Sequence, residues 1–252
     1  MNVKEIAIGF LQTFFLKNDG SLYCMGHNNY GQCGYGTTTP SNSPVPVSLE
    51  NNYDVSRVRA GMHYSLLIQN GTVMTFGLNN YGQLGVNDND NRLIPTKIFG
   101  NYVAKEVSGI DFHSMILGVD GKVRAFGRND YGQLGDGTTV ASRIIPVEVA
   151  VENFDIKKIA AGRYHSMFLK EDGRVFSYGL NNLGQLGDGT YNAKSNPALI
   201  PTQNTRIIDI CAGIQHSMFL KSTGKVYAFG AGNVRRLYLI NILGGIYWIW
   251  RN

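Results

Sequence analysis

The amino-acid sequence predicts an all-β protein whose repeated units stack into a β-propeller, and three observations support this class. A Gly-Gln-Leu-Gly motif or a close copy recurs at nearly constant intervals along the 252 residues. Each interval contains short runs rich in Ile, Val, Phe and Tyr, and glycine, with 31 residues, exceeds its usual share of about 7%. The runs do not show the apolar spacing of an amphipathic helix.

Two independent markers keep the same period, which makes the repeat a strong signal. The glutamine of the motif stands at positions 32, 83, 133 and 185. A polar residue followed by glycine occurs at Asp19-Gly20, Asn70-Gly71, Asp120-Gly121, Asp172-Gly173 and Thr223-Gly224. The predicted units are residues 3–51, 55–100, 103–152, 156–204 and, as a partial copy, 207–230, followed by a divergent apolar tail at 231–252.

The fourth unit shows how a single repeat is expected to fold. Residues 156–170 contain two short apolar runs, and Asp172-Gly173 separates the second of them from a third run at 174–179. Because glycine accepts the positive φ of a tight turn, this pattern is typical of a β-hairpin. The polar, glycine-rich stretch 180–190 predicts a loop, and 197–200 predicts a short further strand.

A unit of about 50 residues with three or four strands cannot bury both faces of its sheet, so the copies must stack as a propeller or a solenoid. Parallel β-helices use much shorter coils, and we therefore expect a propeller. The segment Val3–Gly9 aligns one for one with Ile156–Gly162. The N-terminal apolar segment is thus predicted to be a blade strand rather than a signal peptide.

Two motifs mark the unit. The first is Gly-x-x-His-Ser, as in Gly162-Arg-Tyr-His-Ser166, and its histidine is called the motif histidine below. The second contains Gly-Gln-Leu-Gly, as in Phe126-Gly-Arg-Asn-Asp-Tyr-Gly-Gln-Leu-Gly135. Over residues 3–230 the unit resembles the repeat of the regulator of chromosome condensation family. The resemblance implies a propeller, usually seven-bladed. We expect a structural role for the paired glycines and glutamines of the motif, which are Gly31, Gln32, Gly82, Gln83, Gly132, Gln133, Gly184 and Gln185.

The resemblance also implies a function. Relatives include interaction modules in ubiquitin ligases, so a non-enzymatic protein-interaction propeller without a cofactor is the leading hypothesis. The founding member is a nucleotide exchange factor for the GTPase Ran, which makes exchange on a Ran-like small GTPase the alternative. A second alternative is an inhibitor or effector that binds another enzyme.

In the founding exchange factor, acidic and histidine side chains of the Gly-x-x-His loop face the GTPase. Carried over by position, the candidate partner-face residues are His63, Asp111, His113, Arg163, Tyr164, His165, Gln215 and His216. Steps of 50 to 52 residues leave no room for the protruding β-wedge of that factor. Equivalent loops lie around a ring, so we expect their histidines to bond neighbouring backbone rather than to share a metal ion.

The chain departs from the repeat pattern in three respects. Gln12 and Tyr64 replace the motif histidine in the first two units, and one extra residue before His113 predicts a bulge. Four complete units and a partial fifth fall short of seven. A five-bladed closed ring, an open arc and an unstable fragment all remain possible. We favour the open arc, whose uncapped terminal blade could be covered by the tail or by self-association.

The tail begins where the fifth unit loses the motif, at Arg235 and Arg236, and continues as the apolar run Leu237–Trp250. It is expected to be a divergent last strand, the product of a truncated or shifted reading frame, or an anchor for a membrane or partner. Fourteen residues are too few to span a bilayer as a helix, which needs about 20. No membrane association is therefore predicted.

Charge and cysteine usage limit the remaining function classes. The net charge of +5 is a mild excess and does not indicate a nucleic-acid-binding protein. Cys24, Cys33 and Cys211 lack the spacing of a zinc site, and we expect three reduced thiols. With no recognisable signal peptide, an intracellular location, cytoplasmic or nuclear, is predicted.

Overall fold

A computed structural model describes residues 2–49, 54–151, 155–202, 206–231, 237–242 and 245–250. Within these ranges the regular structure consists of β-strands grouped into separate antiparallel sheets. We call the first five sheets units 1 to 5, in chain order. Units 1 to 4 have four strands each and unit 5 has three, which confirms the all-β prediction of four complete repeats and a partial fifth.

The strands of each unit pair in sequence order, from an inner first strand to an outer last strand. Unit 1 comprises β1 Val3–Ile8, β2 Gln12–Lys17, β3 Leu22–Gly26 and β4 Ser41–Pro46. Unit 2 comprises β5 Val55–Ala60, β6 Tyr64–Gln69, β7 Thr72–Gly77 and β8 Arg92–Lys97. Unit 3 comprises β9 Ala104–Gly109, β10 His113–Gly118, β11 Val123–Arg128 and β12 Ser142–Glu148.

Unit 4 comprises β13 Ile156–Ala161, β14 His165–Lys170, β15 Val175–Gly179 and β16 Lys194–Leu199. Unit 5 comprises β17 Ile207–Ala212, β18 His216–Lys221 and β19 Val226–Gly230. Beyond it, β20 Leu237–Ile242 pairs with β21 Gly245–Trp250 as a two-stranded antiparallel hairpin. The expectations for Arg235 and Arg236 at the start of the tail lie outside the described residues.

The predicted hairpin turns are present because glycine occupies a conformation that other residues avoid. In unit 4, Gly173 has a φ of 90°, and the Asp172 carboxylate accepts a hydrogen bond of 2.9 Å from the Arg174 backbone N–H. The side chain therefore holds the turn while glycine supplies its left-handed backbone.

The hydrophobic core lies between the sheets rather than within any one of them. At the junction of units 3 and 4, Met115 and Leu117 pack with Phe168 and Tyr178 from the next sheet. Three similar clusters join the other consecutive units. The first strands β1, β5, β9, β13 and β17 contact one another in chain order. Each sheet thus covers the apolar face of its neighbour, which is the stacking that the period predicts.

The Gly-Gln-Leu-Gly loop joins each unit to the next. In unit 3, the Gln133 side-chain carbonyl accepts a hydrogen bond of 2.9 Å from the Tyr131 N–H, and its backbone carbonyl accepts one of 2.7 Å from Ser166 Oγ in unit 4. Gly132 has a φ of 77°, and a Cβ there would lie 2.5 Å from Ser195 Cα of unit 4. This close approach excludes any larger residue.

The prediction of three reduced thiols is wrong for two of them, because Cys24 and Cys33 form a disulfide. The motif loop folds back over β3, and this brings together two residues that are nine positions apart in the sequence. In unit 4 the equivalent positions hold Ser177 and Leu186, which are joined instead by a hydrogen bond of 2.7 Å from Ser177 Oγ to the Leu186 carbonyl. Cys211 is a free cysteine.

The predicted bulge before His113 is also wrong. Gly109 pairs with Ser114 in unit 3, as Ala161 pairs with Ser166 in unit 4, so the two connecting loops have the same length. Gly109 therefore occupies the position of Ala161 rather than that of the motif glycine, and Ile110 stands where the motif has glycine.

Candidate protein-interaction face

Two kinds of loop meet at one end of the sheets. The loop between the first and second strands of a unit contacts the loop that follows the third strand of the preceding unit. Ring centroids lie 5.1 Å apart for Tyr30 and His63, and 5.3 Å apart for Tyr81 and Phe112. The repeat thus places aromatic side chains from successive units side by side on this loop face.

The middle of this face carries a cluster that we call the aromatic–arginine patch. Phe112 and Tyr164 stack with their centroids 5.7 Å apart and an interplanar angle of 27°. The Arg128 guanidinium carbon lies 4.9 Å from the Tyr81 ring centroid and 5.3 Å from that of Tyr164. The half-buried members of the patch are Tyr81, Phe112, Arg128, Tyr131, Arg163 and Tyr164.

The charges of the patch are paired locally. Arg163 Nε lies 2.7 Å from Asp111 Oδ2, and Arg128 forms an ion pair with Asp130. Burial raises the pKa of the Asp111 carboxyl, while the guanidinium groups of Arg163 and Arg128 oppose that rise. The patch therefore presents flat rings and guanidinium planes with little local excess charge.

The motif histidines point away from this face, into the junctions between units. His113 Nε2 lies 2.8 Å from Ser166 Oγ, and His165 Nε2 lies 2.8 Å from Ser217 Oγ. Ser166 gives its one hydroxyl proton to the Gln133 carbonyl, so the imidazole N–H must be the donor to Ser166 Oγ. Each bond therefore joins two consecutive units.

Complete burial determines the charge state of these two imidazoles. His113 and His165 are both 0% exposed. Burial lowers the pKa of each to about 3, and the neighbouring histidines add to the effect at His165. The side chains are neutral at pH 7, and we call these histidines the buried joints. They bond serine hydroxyls across the junction, whereas the sequence led us to expect bonds to neighbouring backbone.

The junction of units 2 and 3 performs the same task with different residues. Tyr64 takes the histidine position, and its hydroxyl donates a hydrogen bond of 2.6 Å to the His113 carbonyl. A Cβ at Gly109 would lie 2.2 Å from Tyr64 Oη. The equivalent position in unit 4 is Ala161. Gly109 therefore makes room for a side chain longer than histidine.

The structure separates the eight candidate partner-face residues into two groups of four. His63, Arg163, Tyr164 and Gln215 keep accessible surface, whereas Asp111, His113, His165 and His216 are buried. The patch also contains four residues that were not predicted from the sequence: Tyr81, Phe112, Arg128 and Tyr131. The sequence contains a regularity that could have indicated them. A tyrosine precedes the motif Gly-Gln in three units, and an aromatic residue precedes the motif histidine in two.

A cavity of about 530 Å³ lies beside the patch and is lined by residues of units 1, 2, 3 and 5. Its wall is mainly apolar, with Ile8, Phe10, Met62 and Ile214 from three units, and Asp111 also lines it. Among the residues that the structure describes, no group of three or more His, Cys, Asp or Glu side chains could hold a metal ion. Nor does this part of the chain include a helix suited to cross a membrane.

Comparison with known families identifies the repeat. The model of the regulator of chromosome condensation (RCC1) repeat matches residues 19–68, 70–117, 120–169 and 172–220. A second model of the same repeat matches residues 3–32, 156–185 and 207–235.

Curated relatives are similar over most of this chain. The ultraviolet-B receptor UVR8 from Arabidopsis thaliana is 27% identical over 238 residues, which cover 92% of this chain and 54% of the receptor. The probable E3 ubiquitin-protein ligase HERC4 from Homo sapiens is 30% identical over 236 residues, covering 92% of this chain and 18% of the ligase. The chain thus spans about half the length of the first relative and a smaller part of the second.

Solved structures confirm the fold. Human WBSCR16 superposes with a TM-score of 0.80 at 22% identity, covering 90% of this chain and 61% of that one. Yeast RCC1 (Prp20) bound to Kap60 gives a TM-score of 0.81 at 22% identity, covering 91% and 56%. A second structure of Prp20p from Saccharomyces cerevisiae, studied with its binding properties to Gsp1p and histones, gives 0.76 at 22% identity, covering 92% and 57%.

Proposed function

We propose that this chain, which belongs to the regulator of chromosome condensation (RCC1) repeat family, is a non-catalytic protein-interaction module that binds its partner through the aromatic–arginine patch. One observation carries the proposal: four aromatic rings and two guanidinium groups from three successive units meet on the loop face. Tyrosine and arginine are enriched among the residues that dominate binding energy at protein interfaces.

The construction of the patch suits recognition. Arg128 lies against the rings of Tyr81, Phe112 and Tyr164, so these long side chains lose little freedom when a partner binds. Because Asp130 and Asp111 already neutralise the two arginines, we expect contact with the partner to depend on aromatic and guanidinium packing. The affinity should then depend only weakly on salt concentration.

The test is quantitative affinity capture from an extract of the source cells. The bait is the full chain, compared with the variant Arg128→Ala, Tyr164→Ala. The matched control is Arg174→Ala, which also removes an arginine that lies near an aromatic ring and is paired with an aspartate, but at the turn on the opposite end of unit 4. The proposal expects a protein captured by wild type and control but lost with the patch variant. Identical captures with all three baits would refute it.

Exchange on a Ran-like small GTPase is the alternative function, favoured by the similarity to Prp20p, which was studied with its binding to Gsp1p. Four of the carried-over positions are buried here, which weighs against direct contact with a GTPase: Asp111, His113, His165 and His216. Release of fluorescent GDP from a Ran-type GTPase distinguishes the two functions. Faster GDP release at micromolar protein would support exchange. An unchanged rate of release would favour the interaction module. Inhibition of a captured enzyme would support the inhibitor or effector role.

A further inference from the structure

Within the described part of the chain, the rear face of unit 1 is an apolar sheet surface that none of units 2 to 5 covers. A rear face is the side of a unit that packs on the preceding unit. In unit 4 it includes Ile159 and Ala161, which unit 3 covers and which are 2% and 5% exposed. The equivalent residues of unit 1, Ile6 and Ile8, are 49% and 75% exposed. The same sheet position is thus core in one unit and surface in another.

The rear face of unit 1 also carries the polar partner that a junction requires. In units 4 and 5 that partner is Ser166 or Ser217, each bonded to the motif histidine of the preceding unit. Thr13 holds the same position in unit 1, one residue after the motif position occupied by Gln12. Unit 1 therefore offers a hydroxyl to the motif residue of a unit placed before it.

Charges at one position of the first strand alternate from unit to unit. Each of these residues is paired with a buried apolar residue of the second strand, immediately after a shift in register. In chain order they are Glu5, Arg57, Glu106, Lys158 and Asp209. We call this set the charge row.

Three side chains of the charge row contact the following unit. Lys158 forms an ion pair with Asp209 of unit 5, and Glu5 forms one with Arg59 of unit 2 at 2.7 Å. Glu106 accepts a hydrogen bond of 3.1 Å from the Ile159 N–H of unit 4. Because opposite charges follow one another, a unit that docks in front of Glu5 should have a basic residue in the row.

We propose that the rear face of unit 1 binds a further blade of the same repeat type, with lysine or arginine at the charge-row position and histidine or tyrosine at the motif position. A second copy of this chain fits less well. Its unit 5 would bring Asp209 towards Glu5, and Met218 and Leu220 of that unit are already buried, at 1% and 9% exposure. This surface is distinct from the aromatic–arginine patch.

A tethered blade tests the proposal on the full chain. Residues 155–206, which contain the whole of unit 4, are duplicated and joined directly before Val3, so that the copy precedes unit 1 as unit 4 precedes unit 5. The copy brings Lys158 and His165 to the rear face. We expect the Tm to rise by about 4 °C or more, and the copy to resist proteolysis.

Charge and contact variants make the test specific. Lys158→Glu in the added copy, or Ile8→Glu in unit 1, should remove most of the gain in Tm. Lys157→Glu in the copy is the matched control, since Lys157 is an exposed neighbour outside the charge row, and it should keep the gain. A copy that leaves the Tm unchanged and is digested, or a copy with Lys158→Glu that docks equally well, would overturn the proposal.

Sedimentation of the untethered 252-residue chain identifies the occupant. We expect a monomer at micromolar concentration. A dimer that Ile8→Glu abolishes would make a second copy the occupant and would refute the charge rule. Neither the Tm gain nor sedimentation depends on capture of a partner by the patch, so a failure here is distinguishable from a failure of the patch as a binding site.

Discussion

The buried joints and the aromatic–arginine patch come from the same short loops, yet they differ in environment and in task. Tyr164 and His165 are consecutive residues, as are Phe112 and His113. The first of each pair contacts rings on the loop face, and the second is fully buried between two units. The most recognisable residue of the motif therefore holds the units together, while its less regular neighbour keeps accessible surface on the loop face.

The largest expected effect is acid destabilisation through the buried joints. The pKa of His113 and of His165 is about 3 in the folded protein and about 6.5 in an unfolded chain. Between these values the unfolded chain binds more protons, so stability is complete above pH 6.5 and falls as the pH decreases. At about 1.4 kcal/mol per pH unit for each histidine, the loss reaches about 4 kcal/mol at pH 5.

Urea unfolding at pH 7.5 and pH 5 measures this loss. The comparison variant is His113→Gln, His165→Gln, because glutamine already stands at this position as Gln12, where its Nε2 donates to the Gly61 carbonyl. The double variant should lose about 4 kcal/mol less than wild type over the same interval. Equal losses in the two proteins would mean that the imidazoles are not buried joints.

The next largest effect is expected from Gly109→Ala. The added methyl group would collide with the Tyr64 hydroxyl, and we expect a loss of about 1–3 kcal/mol from overpacking. Tyr64→His in the same chain restores the residue pair found at the junction of units 4 and 5, His165 with Ala212, and should recover most of the loss. Additive costs in this double-mutant cycle would contradict the compensation between the two residues.

A smaller effect is expected where the motif loop meets the third strand. Ser177→Ala should lower the free energy of unfolding by about 1 kcal/mol, as urea unfolding can measure, because it removes the hydrogen bond to the Leu186 carbonyl.

In unit 1 the disulfide replaces this bond, so thiol titration of the unfolded chain should find one thiol without reductant and three with it. Before unfolding, Cys211 should react slowly, since burial raises its pKa to about 12. Three thiols without reductant would exclude the disulfide.

The smallest effect on stability belongs to the patch. Tyr164→Ala removes a half-buried ring from the loop face, and we expect unfolding at pH 7.5 to change by about 1 kcal/mol or less, while capture of the partner is lost. Thermal unfolding and affinity capture on the same samples check both parts. A large loss of stability would show that Tyr164 is a packing residue like its neighbour His165.

Much of the fold could be predicted from sequence because its signals are local. Asp172-Gly173 marks a turn wherever it stands between two β-prone runs, and the period of the motif counts the units directly. The disulfide could not be predicted, since Cys24 and Cys33 meet only after the motif loop folds back over β3. The prediction of a bulge before His113 was wrong because Gly109 resembles the motif glycine but serves the neighbouring Tyr64 instead.

The candidate site was predicted only in part, for a similar reason. The repeat pattern identifies the loops but does not show which of two consecutive side chains, such as Phe112 or His113, faces outward. The patch becomes visible only when loops from different units are brought together. Arg128 ends β11 and gains its role from contacts with Tyr81 and Tyr164, which lie in units 2 and 4.

The most direct measurement is an NMR titration of the histidine side chains in the native protein, with His113→Gln and His165→Gln used to assign the resonances. If these imidazoles join the units from within, their signals should stay at the neutral position from pH 8 down to pH 5. Titration of either residue with a midpoint near 6.5 would place it on the surface and contradict the division between joints and patch.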